Sequence, residues 1–362
     1  MIAMWMNRKR ALQLTAWFLE NQRDLPWRRQ GDPYSIWLSE IMLQQTRVEF
    51  VKERFLQFQK ELPDIASLAS CDEERLMKLW EGMGYYSRVR NLQKCAAVIM
   101  KQYKGKLPED PLVLQKLPGI GPYTAGAIAS IAFQVPSAAV DGNVMRVYAR
   151  VKGDRTDIKS AKAKKLYQKE LQLFLDQNAD ALTQEEPRFV SLFTQAMMEL
   201  GAIVCVPNGL PFCRKCPWRN DCTANLNNLC EEIPVRSKRK TRRIEERTIL
   251  VIRNGDRFLI HRRKKTGLLA GLLEFPGTES RLSVSEALHK AEEYGMTPLR
   301  IHVLPDSRHI FTHVEWQMTA FEIQVSDFEL TDGDYFWMTK KELQSVAIPS
   351  AFHAYLDYYS IR

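Results

Sequence analysis

Leu117-Pro-Gly-Ile-Gly-Pro-Tyr-Thr-Ala-Gly-Ala127 sets two glycines between an apolar helical run ending near Leu117 and another beginning near Pro122. Glycine lets a backbone come close to a ligand, and the N-terminus of the second helix offers unpaired N–H groups and the positive end of its dipole. A lone Gly-x-Gly reads as an ordinary turn between helices. The full string reads as a helix-hairpin-helix, with Gly119 and Gly121 placed to bind a DNA phosphate without reading base sequence.

Outward from this hairpin, apolar residues recur at helical spacing from the start to about residue 225, as in Ala11, Leu12, Leu14, Trp17 and Phe18 and again in Ile36, Trp37, Ile41 and Met42. That half is predicted to be all-helical. Ser237-Lys-Arg-Lys-Thr-Arg-Arg243 is basic without apolar periodicity and reads as a solvated linker that can also touch phosphate. Beyond it come short β-type runs, Thr248-Ile-Leu-Val-Ile252, Phe258-Leu-Ile260 and Trp316-Gln-Met-Thr-Ala-Phe321, with one helix candidate near Val284 to Tyr294. The expected organisation is multidomain: an all-α domain over 1–225, a linker over 226–246 and an α+β domain over 247–362.

Composition agrees with two domains, because 362 residues exceed the usual size of one core. A formal charge of +9 favours a polyanionic partner, although a generic basic protein would carry it too. The N-terminal stretch has no apolar leader region, and no later run approaches a bilayer-spanning length. The expectation is a cytoplasmic monomer with no membrane partner, nucleoid-associated if the cell is prokaryotic.

Of seven cysteines, four fall in Cys205-x7-Cys213-x2-Cys216-x5-Cys222, and a fifth follows at Cys230. In a reducing compartment this crowding suggests metal ligation rather than disulfides. Four thiolates with no nearby histidine suit one [4Fe–4S] cluster, with a cysteine-only zinc site as the alternative. Cys230 could compete with Cys205. The cluster's expected role is to hold Arg214, Lys215 and Arg219 against a phosphate backbone.

Two carboxylates stand out. Asp141 precedes the helical run Val144, Val147, Val151, where it reads either as a plain N-cap or as a carboxylate facing the sugar of a flipped nucleotide; spacing leaves both open. Glu40 sits on a helix predicted to be capped by Asp32 with Pro33 in its first turn, beside Trp37, Ile41 and Met42. Apolar neighbours would raise its pKa, whereas an isolated helix glutamate would face solvent. Thr46-Arg-Val-Glu49 is predicted to be the capping box of the next helix.

Leu25-Pro-Trp-Arg28, Asp32-Pro-Tyr-Ser-Ile-Trp-Leu-Ser-Glu-Ile-Met-Leu-Gln-Gln-Thr-Arg47, Gly82-Met-Gly-Tyr-Tyr-Ser-Arg88, the hairpin, Val140-Asp-Gly-Asn143, the cysteines and the α+β domain follow one another in order. Together they resemble, over nearly the whole chain, the MutY family of adenine DNA glycosylases in the helix-hairpin-helix glycosylase superfamily. The resemblance implies a base-excision-repair enzyme that hydrolyses the N-glycosidic bond of adenine mispaired with 8-oxoguanine, or guanine, in double-stranded DNA. Adenine leaves poorly until a ring nitrogen is protonated, and the sugar left behind is cationic, so an acid and an anion are both needed. By resemblance Glu40 protonates the base and then activates water, Asp141 stabilises the sugar cation, and Tyr123 and Asn143 assist.

Extrusion of the base costs a few kcal/mol, roughly, for unstacking. The resemblance gives the filling of that gap to Gln45 and Tyr85, and the adenine pocket to Trp27, Arg28 and Leu43, with Gln195 at the base edge. Tyr85 read without it would be a core aromatic. Tyr123 stands where endonuclease III-like relatives carry a Schiff-base lysine, so a monofunctional enzyme is expected. The family's first cysteine gap is one residue shorter than here.

Gly267-Leu-Leu-Ala-Gly-Leu-Leu-Glu-Phe-Pro-Gly277 resembles a Nudix-type fold, but Leu288 and His289 replace the Arg-Glu pair that precedes Glu292-Glu-Tyr-Gly295 in the hydrolases. A lesion-recognition module is therefore expected, with Phe311, Thr312 and His313 of His309-Ile-Phe-Thr-His313 reading 8-oxoguanine; an ordinary hairpin is the plain alternative. Two further readings of the whole chain are an endonuclease III-like glycosylase for oxidised pyrimidines and a catalytically silent DNA-binding or redox module.

Overall fold

The computed structural model describes residues 5–237, 241–326 and 333–361. The chain divides into two compact units, Met1–Ser70 with Arg90–Lys238 and Cys71–Val89 with Arg239–Arg362. No helix among the described residues is long and apolar enough to cross a membrane.

The first unit is helical. Helices Gly142–Lys152, Ala161–Glu185 and Phe189–Glu199 share a core in which Trp5, Phe18, Tyr148, Phe174, Phe193 and Trp218 are buried. Tyr148 stacks on Tyr167 with ring centroids 3.6 Å apart, so much of this core's apolar burial comes from aromatic rings. The hairpin enters helix Pro122–Phe133, whose N-cap is Gly121 and whose first residue is Pro122. A Cβ on Gly126 would stand 2.5 Å from Ala138 O, so only glycine lets the helix approach that strand of backbone.

Two local expectations are corrected here. The helix before the hairpin is a single turn, Pro111–Leu114, started by Asp110, whose carboxylate accepts from Leu112 N at 2.7 Å. Thr46 does not cap: helix Val48–Glu61 has Arg47 at its N-cap with no side-chain bond, and the Thr46 hydroxyl donates to Gln44 O at 3.3 Å. The intervening Gln45 lies at φ 59°, and this left-handed residue turns the chain before the helix can start at Thr46.

The second unit is a seven-stranded mixed sheet. Its strands are β1 Arg243–Asn254, β2 Arg257–Arg262, β3 Leu273–Glu274, β4 Gly277–Thr278, β5 Pro298–Ile310, β6 Val314–Val325 and β7 Tyr335–Thr339. The order is β3-β2-β1-β6-β5, with β4 beside β1, β7 beside β2, and β1 parallel to β6. The unbroken apolar run of β1 is explained by burial on both faces. Leu250 and Ile252 pack with Ala287 and Ala291 of helix Val284–Glu293, while Ile249 and Val251 pack with Phe352, Tyr355 and Leu356. That helix carries the capping box of Ser283 and Glu286.

The domain boundaries read from sequence differ from the compact units in two places. Residues 71–89, expected in the helical domain, group with the second unit because their polar side chains bond there. Lys78 Nζ donates to Val346 O at 3.1 Å, Glu81 Oε1 accepts from Ile348 N at 3.1 Å, and Glu74 pairs with Arg262 at 2.9 Å. β1 begins at Arg243, inside the expected linker, while Ile233 near the linker's start is fully buried in the helical unit. Lys238, Arg239 and Lys240 of the basic stretch lie outside the described residues.

Candidate active site

Asp32 starts helix Pro33–Met42 by accepting from Ser35 N at 3.0 Å, and the helix is buried along its whole length. Glu40 is carried into that apolar setting with 8% of its surface exposed. Tyr123, in the first turn after the hairpin, donates to Glu40 Oε2 at 2.7 Å. Burial is the largest influence on the Glu40 carboxyl and pushes it up to about 7; the Tyr123 hydroxyl pulls the other way, Asp141 adds to the rise, and Arg28 opposes it. Tyr123 itself is pushed well above the ordinary phenol range, first by burial and then by the two carboxylates, so its proton stays in place to donate.

Asp141 caps its helix and also reaches the cavity. Its Oδ1 accepts from Val144 N at 2.7 Å as the N-cap of Gly142–Lys152, and its Oδ2 accepts from Asn143 Nδ2 at 2.6 Å, while the side chain also lines the same cavity as Glu40. Burial raises the Asp141 carboxyl above its ordinary value, and those hydrogen bonds together with Arg146 offset only part of the rise. Asn143 is fixed in turn: its Oδ1 accepts from Arg146 Nη2 at 2.9 Å, and a Cβ on Gly201 would stand 2.5 Å from Asn143 Cβ. Arg146 also donates to Gly201 O and Cys205 O, both at 2.6 Å, which ties the turn of Asp141 to the first cysteine.

The cavity is about 1120 Å³ and lies within the helical unit. It collects Trp27, Arg28, Glu40, Leu43, Gln45, Tyr123, Asp141, Asn143 and Gln195, residues scattered through the sequence. Trp27 is set by an edge contact with Phe55 at 5.5 Å, and Gln195 Nε2 donates to Ser191 Oγ at 3.1 Å.

Sequence reasoning missed Glu199, which also lines the cavity. Its buried carboxylate accepts from Arg23 Nε and Nη2 at 2.8 Å and from Arg28 Nη2 at 2.9 Å. Burial alone would raise this carboxyl, but the two arginines outweigh it and hold it down at about 2. A signal was present: Glu199 is a lone carboxylate after the apolar helical run Phe189 to Met198, as Glu40 is beside Trp37, Ile41 and Met42. Met198, also missed, approaches the Tyr123 hydroxyl at 3.7 Å through its sulfur.

Gly119, at φ 77°, and Gly121 occupy the hairpin as expected; a Cβ on Gly119 would also meet Asn91 Cβ at 2.8 Å. Gln45 is exposed at φ 59°. In the second unit Tyr85 is 45% exposed at φ 45°, so it is not a core aromatic. Left-handed backbone is costly for such side chains and persists where the surroundings hold it. The Tyr85 hydroxyl contacts Thr312 Oγ1, and the Arg88 guanidinium stands 5.7 Å from its ring. In the β5–β6 turn Phe311 packs on Trp316 at 4.8 Å, leaving Thr312 and His313 exposed at the tip. On the helix of the Nudix-like unit His289 pairs with Glu292 at 3.3 Å in place of the hydrolase Arg-Glu positions.

Cys205, Cys213, Cys216, Cys222 and Cys230 line one small cavity. The five thiols line one common space, and thiolates without a histidine are the donor set of an iron–sulfur cluster or a cysteine-only zinc site. Charge also fits. Arg150 is buried beside them, donating to Cys205 Sγ at 3.3 Å and to three carbonyls, Ile233 O, Val206 O and Cys230 O, with no carboxylate among these partners. Burial pulls the Arg146 guanidinium down to about 10, an unfavourable state that an anionic thiolate cluster would relieve.

A buried carboxyl pair in a cavity beside a phosphate-type hairpin defines a helix-hairpin-helix DNA glycosylase, here joined to a Nudix-like unit. Residues 38–173 match the HhH-GPD superfamily of base excision DNA repair proteins, and residues 248–358 match the NUDIX domain. The chain is 31% identical to the adenine DNA glycosylase of Rattus norvegicus, over 93% of this chain and 75% of that protein. It is 32% identical to that of Mus musculus, over 95% and 77%. Among solved structures, a thermostable thymine-DNA glycosylase is 26% identical with a TM-score of 0.51, covering 60% of this chain and 95% of that one. The chain belongs to the MutY family of adenine DNA glycosylases. It is thus a base-excision-repair enzyme, a hydrolase of N-glycosyl bonds that works on DNA.

Proposed function

We propose that the enzyme removes adenine paired with 8-oxoguanine, and less readily with guanine, from double-stranded DNA by base flipping, with Glu40 as the acid. The observation that carries this reading is the group formed by Glu40, Tyr123 and Asp141. A carboxyl held near 7 keeps a proton to give to the base at neutral pH, and the same residue as a carboxylate then activates water. Asp141, hydrogen-bonded by Asn143 and Val144, supplies the fixed anion that faces the cationic sugar. Arg28, locked by Glu199, gives the adenine pocket a directed donor beside Trp27, Leu43 and Gln195.

Gly119 and Gly121 take a phosphate, Gln45 and Tyr85 fill the gap left by the base, and Phe311, Thr312 and His313 read the opposing lesion. Phe311 does so as an anchor, since its ring packs on Trp316. With tyrosine in place of lysine at position 123, no Schiff base forms at that position and the enzyme acts monofunctionally, as a monomer. The glycosylase domain corresponds to the helical unit, Met1–Ser70 with Arg90–Lys238, and the recognition domain to the second unit, Cys71–Val89 with Arg239–Arg362.

Cys205, Cys213, Cys216 and Cys222 would hold one [4Fe–4S] cluster, with zinc the alternative occupant. The group supplies a rigid anionic staple for the loop of Arg214, Lys215 and Arg219 rather than a hydrolytic centre. Arg146 links that loop to Asn143 and hence to Asp141.

The test is single-turnover release of free adenine from duplexes with adenine opposite 8-oxoguanine, guanine or thymine, by the intact protein and by Glu40→Gln. Release fastest opposite 8-oxoguanine and abolished in the variant is expected. Excision of oxidised pyrimidines with adenine left in place would overturn the substrate, and DNA binding with no excision would overturn the catalytic reading.

A further inference from the structure

The cluster cavity holds one thiol more than a four-cysteine site needs. Cys205, Cys213, Cys216, Cys222 and Cys230 all line it, whereas the two remaining cysteines, Cys71 and Cys95, do not. Cys230 is no bystander on its rim: its Sγ stands 3.9 Å from Cys213 Sγ. The loop that carries it turns back on helix Thr223–Leu226 through Leu229 N to Ala224 O at 2.8 Å, with Asn228 at φ 57°.

Arg150 connects this loop to the segment carrying Cys205. One nitrogen of its guanidinium donates to Cys205 Sγ at 3.3 Å and to Val206 O at 3.0 Å; the other terminal nitrogen donates to Cys230 O at 3.0 Å. Its Nε donates to Ile233 O at 2.8 Å. The planar fork therefore holds both cysteine segments in one frame and sets a positive charge beside both. The other three cysteines are placed by a turn and by hydrogen bonds to backbone. Cys213 opens the turn Cys213–Lys215, Cys216 N donates to Cys213 O at 3.1 Å, and Cys222 Sγ donates to Arg150 O at 3.4 Å. Arg150 thus touches both the Cys205 and the Cys230 segment, and the segment between Cys205 and Cys213 is the longest gap between successive cysteines of the 205–222 group.

We propose that Cys230 is an alternative fourth ligand of the iron–sulfur site, able to take the place of Cys205. The inference rests on the cluster reading above. In the exchange Cys230 gives up its thiol proton and Cys205 takes one, so the number of bound thiolates stays at four and no electron moves. The consequence is retention: when Cys205 is lost or modified, Cys230 keeps the basic loop folded.

The test uses the full chain, purified without oxygen, as wild type, Cys205→Ser, Cys230→Ser, the double variant and Cys213→Ser. Iron, acid-labile sulfide, zinc and the visible charge-transfer absorbance are measured per chain, with circular dichroism to check folding. Both single variants at 205 and 230 should keep the cluster, and the double variant and Cys213→Ser should lose it. Loss of iron and absorbance in either single variant overturns the exchange, as does retention in the double variant. Zinc without iron or sulfide in the wild type overturns the cluster reading itself, and this inference with it. Native alkylation of loaded Cys205→Ser followed by mass spectrometry reads the ligand directly. Protection of Cys230 in that variant supports the exchange, and label on Cys230 there overturns it.

Discussion

The Tyr123 hydroxyl donates to Glu40 Oε2 across 2.7 Å, joining the residue just after the glycine hairpin to the one carboxyl that burial raises to about 7. A shift of the Pro122–Phe133 helix would move this donor and so change how firmly Glu40 holds its proton, a coupling of helix position to proton availability.

The first prediction concerns rate against pH. Because the bond favours ionised Glu40, it lowers a carboxyl that burial has raised. Single-turnover adenine release should fall as pH rises through about 7, where the proton is lost. Tyr123→Phe removes the lowering influence, so its descending limb should move to higher pH. A limb unmoved or moved to lower pH would contradict the coupling.

Stability should carry the same signature. The folded chain keeps the Glu40 proton between the ordinary 4.5 and about 7 while the unfolded chain releases it, so stability falls across that window and the cost is complete above it. Glu40→Gln removes the ionisation. The variant should gain on wild type as pH is raised from 5 to 8, by on the order of 3 kcal/mol, read from denaturant midpoints; a constant difference would count against a raised carboxyl.

Glu199 gives the opposite sign. Held at about 2, its carboxylate contributes stability that is present above the ordinary 4.5 and is lost as pH falls toward 2. Glu199→Gln leaves Arg23 and Arg28 without their counter-charge and should cost about 3–5 kcal/mol at neutral pH. The gap to wild type should narrow in acid, and adenine affinity should fall because Arg28 is no longer locked.

Gln45 and Tyr85 are non-glycine residues in left-handed backbone. Replacing either by glycine relieves that conformation and should leave stability within about 1 kcal/mol of wild type. Adenine release from duplex DNA should nonetheless drop by roughly tenfold, the equivalent of a little over 1 kcal/mol of unstacking left uncompensated. Unchanged release would remove both residues from the insertion step.

Local patterns made much of the fold legible. The Val284–Glu293 helix, the Gly121–Pro122 helix start and the strands of the second unit follow from hydrophobic period and helix-start chemistry, which are set by residues near one another in the chain. Thr46 misled because the left-handed Gln45 before it is a backbone state that composition does not announce. Glu199 was passed over because its meaning depends on Arg23 and Arg28, far away in sequence.

By itself the sequence determined the helical and β halves, the hairpin and the crowding of thiols, since each is a matter of spacing along the chain, while the two candidate carboxylates came from the family resemblance. Tertiary structure alone decided that Asp141 both caps and faces the cavity, that residues 71–89 pack on the second unit, that Glu199 pins Arg28, and that Cys230 meets Cys213. The physical reason is that pKa, counter-charge and ligand choice depend on burial and on partners brought together by folding, and Glu40 at about 7 and Glu199 at about 2 are the same side chain in two such surroundings.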